Sequence, residues 1–264
     1  GSGGNEIGEQ NNYKVRLYLN NGKGTFEPAA KKLPPLRKNI AVIAPYDFDN
    51  DGDIDVFVGA RSLVATYGVN PSHQFLENNG DGTFSDTTEK VAYDVKNAGM
   101  ITHAIWKDID KDGKKDLMTV SEWDTPKIYI NNGRRLIKQT STLDNLFGMW
   151  NVVEAADLDN DGDLDLVVNN INEEAYVLEN NSNKIYQNNY LKIKFKGNSN
   201  NTSGIGTTVK AYYKDQVITE ENYTTKGYLS SVEPKIHLGL GEATIIDSLQ
   251  IIWGNNKFQT LKNI

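Results

Sequence analysis

The chain has no cysteine among its 264 residues, which excludes a disulfide framework, a thiol nucleophile and any cysteine-held metal. Histidine is almost as scarce. His73, His103 and His237 lie far apart, and none stands in a His-x-x-x-His or Glu-x-x-His pattern that would put two ligands on one element. No apolar run is long enough to cross a membrane, so the chain has no membrane span of the helical kind. Basic residues form no stripe with interleaved aromatics, which makes nucleic acid a poor partner. A Gly-x-Ser-x-Gly elbow and a phosphate-cradling glycine loop are both missing. No leader or lipidation motif stands near Gly1, and the Gly-Ser start makes that silence uninformative.

What the chain has in quantity is glycine, with 23 residues, many of them in Asn-Gly and Asp-Gly pairs that mark tight turns in an all-β protein. Three stretches read D-x-D-x-D-G-x-x-D: Asp47–Asp55, Asp108–Asp116 and Asp157–Asp165. Each places carboxylates at positions 1, 3, 5 and 9, with a glycine at 6 for a sharp bend. The ligand positions are Asp47, Asp49, Asp51 and Asp55, then Asp108, Asp110, Asp112 and Asp116, then Asp157, Asp159, Asp161 and Asp165. Position 7 (Asp53, Lys114, Asp163) is expected to offer its backbone carbonyl. Oxygen donors this dense suit a hard cation, and calcium accepts many oxygens in flexible geometry where magnesium keeps its waters. About three Ca²⁺ ions are therefore expected. Fourteen aspartates lie in these loops; without them the formal charge of −7 would become about +7, so the acidity is local.

An EF-hand fails on position 12, where Val58, Thr119 and Val168 stand in place of a bidentate glutamate. The flanks, such as Ile54–Val58 and Leu164–Val168, are short, β-branched and mostly apolar, so the loops sit between strands. A second motif, an apolar strand ending in Asn-Asn-Gly, recurs at Leu17–Gly22, Phe75–Gly80 and Ile128–Gly133, with a looser copy at Tyr176–Ser182. Its asparagines (Asn20, Asn78, Asn131, Asn180) fall 58, 53 and 49 residues apart, the period of a four-stranded unit. Each unit reads as strand, acidic loop, strand, Asn-Asn-Gly strand and a closing strand, the pattern of a β-propeller blade.

These loops, the Val-Phe-Val-Gly-Ala run at 56–60 and the Asn-Asn-Gly-x-Gly-Thr-Phe hairpins resemble FG-GAP/VCBS repeats, the calcium-binding, integrin-alpha-like propeller blades also found in many bacterial surface proteins. The resemblance covers about residues 10–185 and implies that the loop joins a blade's first two strands and that the metal is structural. Residues 189–264 are similar to the ASPIC/UnbV module through Gly204-Ile-Gly206, Gly227–Ser231, His237–Gly241 and Asp247–Trp253. The expected fold is all-β: a partial β-propeller over 1–188, about three and a half four-stranded blades where similar propellers carry seven, then a small β domain over 189–264. The chain is similar to the C-terminal part of Bacteroidetes-type surface lipoproteins. That resemblance implies a full-length protein with upstream blades and a lipid anchor, or a half-ring that pairs with another copy. Millimolar calcium places it outside the cell or at the outer-membrane surface.

From the last loop aspartate to the asparagine pair is 23 residues in the first unit (55 to 78) but 15 in the others (116 to 131, 165 to 180). The extra residues lie within Gly59–Gln74 and carry Arg61, Tyr67 and His73; long loops on a rigid scaffold are where binding sits. Glu122 and Trp123 follow a second strand in the same way and join them as candidate ligand contacts. Trp106, Trp123 and Trp150 are either a sugar-stacking set or core. The expected function is a non-enzymatic binding, adhesion or nutrient-uptake module whose partner is a surface glycan or protein. The alternative is a propeller-scaffold enzyme that degrades polysaccharide, with no catalytic residue legible.

Overall fold

The structure is a computed structural model that describes residues 13–36, 38–185, 187–214, 216–227 and 230–264. Part of the Gly227–Ser231 motif therefore lies outside the described residues. A hairpin of β1 (Tyr18–Asn20) and β2 (Phe26–Pro28) comes first. Then follow β3 (Asn39–Tyr46), β4 (Asp55–Ser62), β5 (Gln74–Asn78) and β6 (Phe84–Asp86), an antiparallel sheet in sequential order. A short helix, α1 (Thr88–Val91), leads to a second such sheet of β7 (Met100–Lys107), β8 (Asp116–Glu122), β9 (Lys127–Asn131) and β10 (Leu136–Gln139). The third has three strands, β11 (Trp150–Ala156), β12 (Asp165–Asn170) and β13 (Tyr176–Leu178). This is a partial, propeller-like β fold.

The sequence explains why successive sheets stack. β8 is buried along its whole length, its interior residues Leu117–Ser121 being apolar or small on both faces, and β7 packs across β3 and β4 while β11 packs across β7 and β8. Phe57, Phe75, Ile101, Leu117 and Tyr129 are fully buried in the core between the first two complete blades, with Trp106 lying against Phe75 and Tyr46. The first strands of both blades carry a bulge at the equivalent residue, Ala41 and Thr102, each six before the first loop aspartate, so the repeat extends to irregularities of backbone.

The third blade departs from the expected four strands, since among the described residues no closing strand follows β13. Ser182 stands where the other hairpins have a glycine with φ near +75°, and the chain instead forms a 3-10 turn at Ser182–Lys184. That turn is held by the Asp163 carboxylate, which accepts from Ser182 Oγ at 3.1 Å and from the Asn183 N–H at 3.0 Å.

Two compact units result. The first takes the described residues up to Lys107, then Lys115–Ala156 and Leu166–Leu178; the second takes Asp108–Lys114, Asp157–Asp165 and Glu179–Ile264. The second unit's own strands are β14 (Asn189–Lys194), β15 (Thr208–Tyr213), β16 (Gln216–Glu221), β17 (Thr225–Gly227), β18 (Ser230–Ser231), β19 (Lys235–Gly241), β20 (Ser248–Ile252) and β21 (Phe258–Lys262). β14 pairs with β19, and β16-β15-β20-β21 form a sheet around Val209, Ala211, Leu238 and Leu249.

Candidate metal centres

All three acidic loops adopt one backbone. The residue at position 4 (Asn50, Lys111, Asn160) and the glycine at position 6 both have positive φ, near +63° and +95°. The position-6 N–H donates to Oδ2 of position 1 at 3.0–3.1 Å in every copy, which folds the loop back on its first carboxylate. The position-7 N–H donates to Oδ1 of position 5 at 2.8–3.1 Å. Carboxylate oxygens are thereby brought to within 4.8 Å of one another in three groups: Asp47, Asp49 and Asp55; Asp108, Asp110 and Asp116; Asp157, Asp159 and Asp161. Position-7 side chains turn elsewhere. Asp53 lies against Gly80, Lys114 pairs with Asp112, and Asp163 holds the 3-10 turn.

Two atoms show what the loops lack by themselves. Oδ1 of Asp47 and of Asp157 is buried with no hydrogen-bond partner among the described residues, although Oδ2 of each is satisfied by glycine. An unsatisfied buried carboxylate oxygen costs about 1–3 kcal/mol. Burial raises the Asp47 and Asp110 carboxyls and pushes Asp55 up to about 6, with neighbouring aspartates adding to the effect. A hard divalent cation would reverse these shifts and meet the orphaned oxygens, so the donor set fits calcium.

The last aspartate of each loop has a second task that sequence spacing alone does not reveal. Asp55, Asp116 and Asp165 accept, through Oδ1, the backbone N–H of Asn78, Asn131 and Asn180 at 2.8–2.9 Å. Each asparagine returns its Nδ2 to the carbonyl just before that aspartate, at 3.2–3.3 Å (Ile54, Lys115, Leu164). Its Oδ1 then accepts the N–H two residues on, in Gly80, Gly133 or Ser182. The acidic loop and the Asn-Asn-Gly turn are thus one structural unit joining a blade's first three strands. The signal was present in the common endpoint: whatever the intervening length, the chain returns to an asparagine.

Residues 5–58 and 108–168, which hold all three loops, match the family profile described as the FG-GAP-like repeat. The chain carries FG-GAP-like repeats. Residues 197–264 match the profile described as ASPIC and UnbV. No curated protein matches the chain.

Of the FG-GAP-like loops, Asp108–Lys114 of the second and all of the third belong to the same compact unit as the ASPIC/UnbV segment. There Lys192 is paired with Asp157, and Tyr190 stacks on His237 with centroids 5.3 Å apart. His237 Nε2 lies 3.0 Å from the Gly162 carbonyl, and the Gly241 N–H donates to the Lys111 carbonyl at 2.7 Å.

The candidate ligand residues divide. Arg61, Tyr67, Glu122 and Trp123 come together in the first unit: Arg61 Nε donates to Glu122 Oε1 at 2.8 Å, and Trp123 Nε1 donates to Tyr67 Oη at 3.0 Å. His73 corrects the expectation of a loop contact, being 1% exposed. It is internal because its Nδ1 accepts the Ala60 N–H at 3.1 Å and its ring packs near Phe57. Of the tryptophans, Trp150 is core, Trp106 is half-buried with Nε1 on the Ala44 carbonyl, and Trp123 is exposed.

Burial, reinforced by the Lys38 charge, holds the His73 imidazole down at about 3. The unfolded chain protonates near 6.5, so stability is lost as pH falls below that value, by up to about 1.4 kcal/mol per pH unit. Between pH 7 and pH 5 this amounts to about 2 kcal/mol. His73→Asn keeps an acceptor for the Ala60 N–H and removes the titration. In saturating calcium, the wild-type melting temperature is expected to drop several degrees more than the variant's over that interval; equal drops would refute the assignment.

Proposed function

We propose that this protein is a calcium-stabilised, non-enzymatic binding module at the cell exterior, at or near the outer-membrane surface, with a surface glycan or protein as its partner. The single observation behind it is the threefold repeat of one loop backbone whose first carboxylate keeps a buried, orphaned oxygen in Asp47 and Asp157. The metal's work is structural: it neutralises the carboxylates and holds together the loop that joins a blade's first two strands. Antiparallel alternation then puts the second-to-third strand loops at the other end of the blades, where Arg61, Tyr67, Glu122 and Trp123 meet.

Calorimetric titration with calcium tests the reading and is expected to resolve about three ions of unequal affinity. The first loop has five aspartates and no lysine, whereas the second contains Lys111, Lys114 and Lys115, with Lys114 paired to Asp112. Calcium affinity follows ligand charge count, so the first site should be tighter than the second by about tenfold or more. Asp49→Ala should remove one tight site. Heat signals indistinguishable from buffer at millimolar calcium would sink the proposal.

A further inference from the structure

At the end of the blades away from the acidic loops, an exposed aromatic surface is held in place more firmly than its exposure requires. β4 and β8 start at the loop aspartates Asp55 and Asp116 and deliver Arg61, Glu122 and Trp123 at their far ends. Glu122 is almost wholly buried there, its side chain 1% exposed, and Arg61 donates to its Oε1 through both Nε and Nη2. Glu122 Oε2 is buried with no hydrogen-bond partner among the described residues. Tyr67 arrives from a tight turn closed by the Thr66 N–H on the Leu63 carbonyl at 3.2 Å. The neighbouring Glu122 carboxylate holds its phenol above the ordinary value. Trp123 sits at φ +54°, a region that costs a bulky residue of order 1–3 kcal/mol and persists only where surroundings impose it.

The outcome is two rings about half exposed, 49% for Tyr67 and 54% for Trp123. They meet through indole N–H and phenol oxygen, so neither covers the other's face. The ion pair cancels the only two charges in the cluster, yet two of the guanidinium's five N–H groups suffice for Glu122, and the Arg61 side chain is 45% exposed. Flat apolar faces beside hydrogen-bond donors and no net charge are complementary to a ligand with one apolar face and a rim of hydroxyls. A proline-rich peptide asks instead for a slot between facing rings, which an edge-joined pair does not make.

We propose that the Tyr67, Trp123 and Arg61 surface binds pyranose rings of a neutral glycan, with Glu122 as the positioning residue beneath it. The proposal rests on the binding-module reading and gives it a site and a ligand class. Trp123 stacks on a sugar face, and the outer N–H groups of Arg61 donate to ring hydroxyls.

The test uses the full chain in millimolar calcium, titrated with cellohexaose, maltohexaose and mannohexaose and, separately, with a proline-rich peptide, read by tryptophan fluorescence and calorimetry. At least one hexasaccharide is expected to bind. Trp123→Gly, which relieves the positive φ and so keeps the backbone, should weaken it by about tenfold or more. Glu122→Gln should weaken it several-fold, and a difference titration against Tyr67→Phe should show the Tyr67 phenol moving down towards its ordinary value. Unchanged sugar affinity in Trp123→Gly, response to the peptide alone, or no response to any hexasaccharide would each overturn the proposal. Calcium titration of the same sample separates the failures: intact ion binding without sugar binding removes the glycan assignment only, and loss of both removes the binding-module reading as well.

Discussion

Chelation with EDTA is expected to lower the melting temperature by roughly 5–10 °C for each calcium removed. A ligand at a hundred times its dissociation constant stabilises the folded state by about 2.7 kcal/mol per site. A chain of this size shifts by about 2–4 °C per kcal/mol. The direction follows from the loops themselves. Oδ1 of Asp47 and of Asp157 is buried without a partner among the described residues, and burial already lifts Asp55 to about 6, so the apo loops carry charge in places that disfavour it. Asp159→Ala separates metal from packing. Asp159 is exposed and accepts the Asp161 N–H at 3.1 Å, so its removal disturbs little except the cation site. In calcium the variant should melt lower than wild type by about one site's increment, and in EDTA the two should nearly coincide. Superimposable wild-type curves with and without calcium would refute a stabilising metal.

The repeat was legible in the sequence because its two motifs are local. An acidic loop and an Asn-Gly turn each impose their backbone within nine residues or fewer, and the strands follow directly: the flanks Ile54–Val58 and Leu164–Val168 fall in Asp55–Ser62 and Asp165–Asn170, each starting one residue later. What stayed hidden depends on partners distant in the chain. Nothing near Arg61 announces Glu122, 61 residues on, and that pairing decides whether the inserted loop is idle. His73 reads as a loop residue because it lies in the inserted stretch Gly59–Gln74, whereas its ring is buried and accepts an N–H from the neighbouring strand. Among the described residues the third blade has a 3-10 turn in place of a closing strand, where Ser182 stands in the glycine position and the Asp163 carboxylate, 19 residues back, accepts from it.

Gly239→Ala is expected to cost about 3 kcal/mol, at the upper end of what overpacking does. A Cβ at this position would lie 1.8 Å from Asp108 Oδ2 and 2.8 Å from the Lys111 Cα, and backbone cannot swing aside as a side chain does. Gly239 sits in β19 opposite Tyr190 of β14, whose ring would meet a Cβ on Gly162 at 1.9 Å. Within this compact unit β14 and β19 are therefore fitted against the third and second acidic loops at two glycines, Gly162 on the loop side and Gly239 on the strand side. Because Asp108 Oδ2 is the atom displaced, and it accepts the Gly113 N–H at 3.0 Å, the substitution should also remove one weak calcium site while leaving the first loop's affinity unchanged. Gly254→Ala is the control: its Cβ would find its nearest neighbour at 3.6 Å and should shift the melting temperature little. If Gly239→Ala melts like wild type and binds the full complement of calcium, the close seating of β19 on the Asp108 loop is wrong. If it melts lower and loses one ion, calcium in that loop and the fit of the C-terminal strands are coupled.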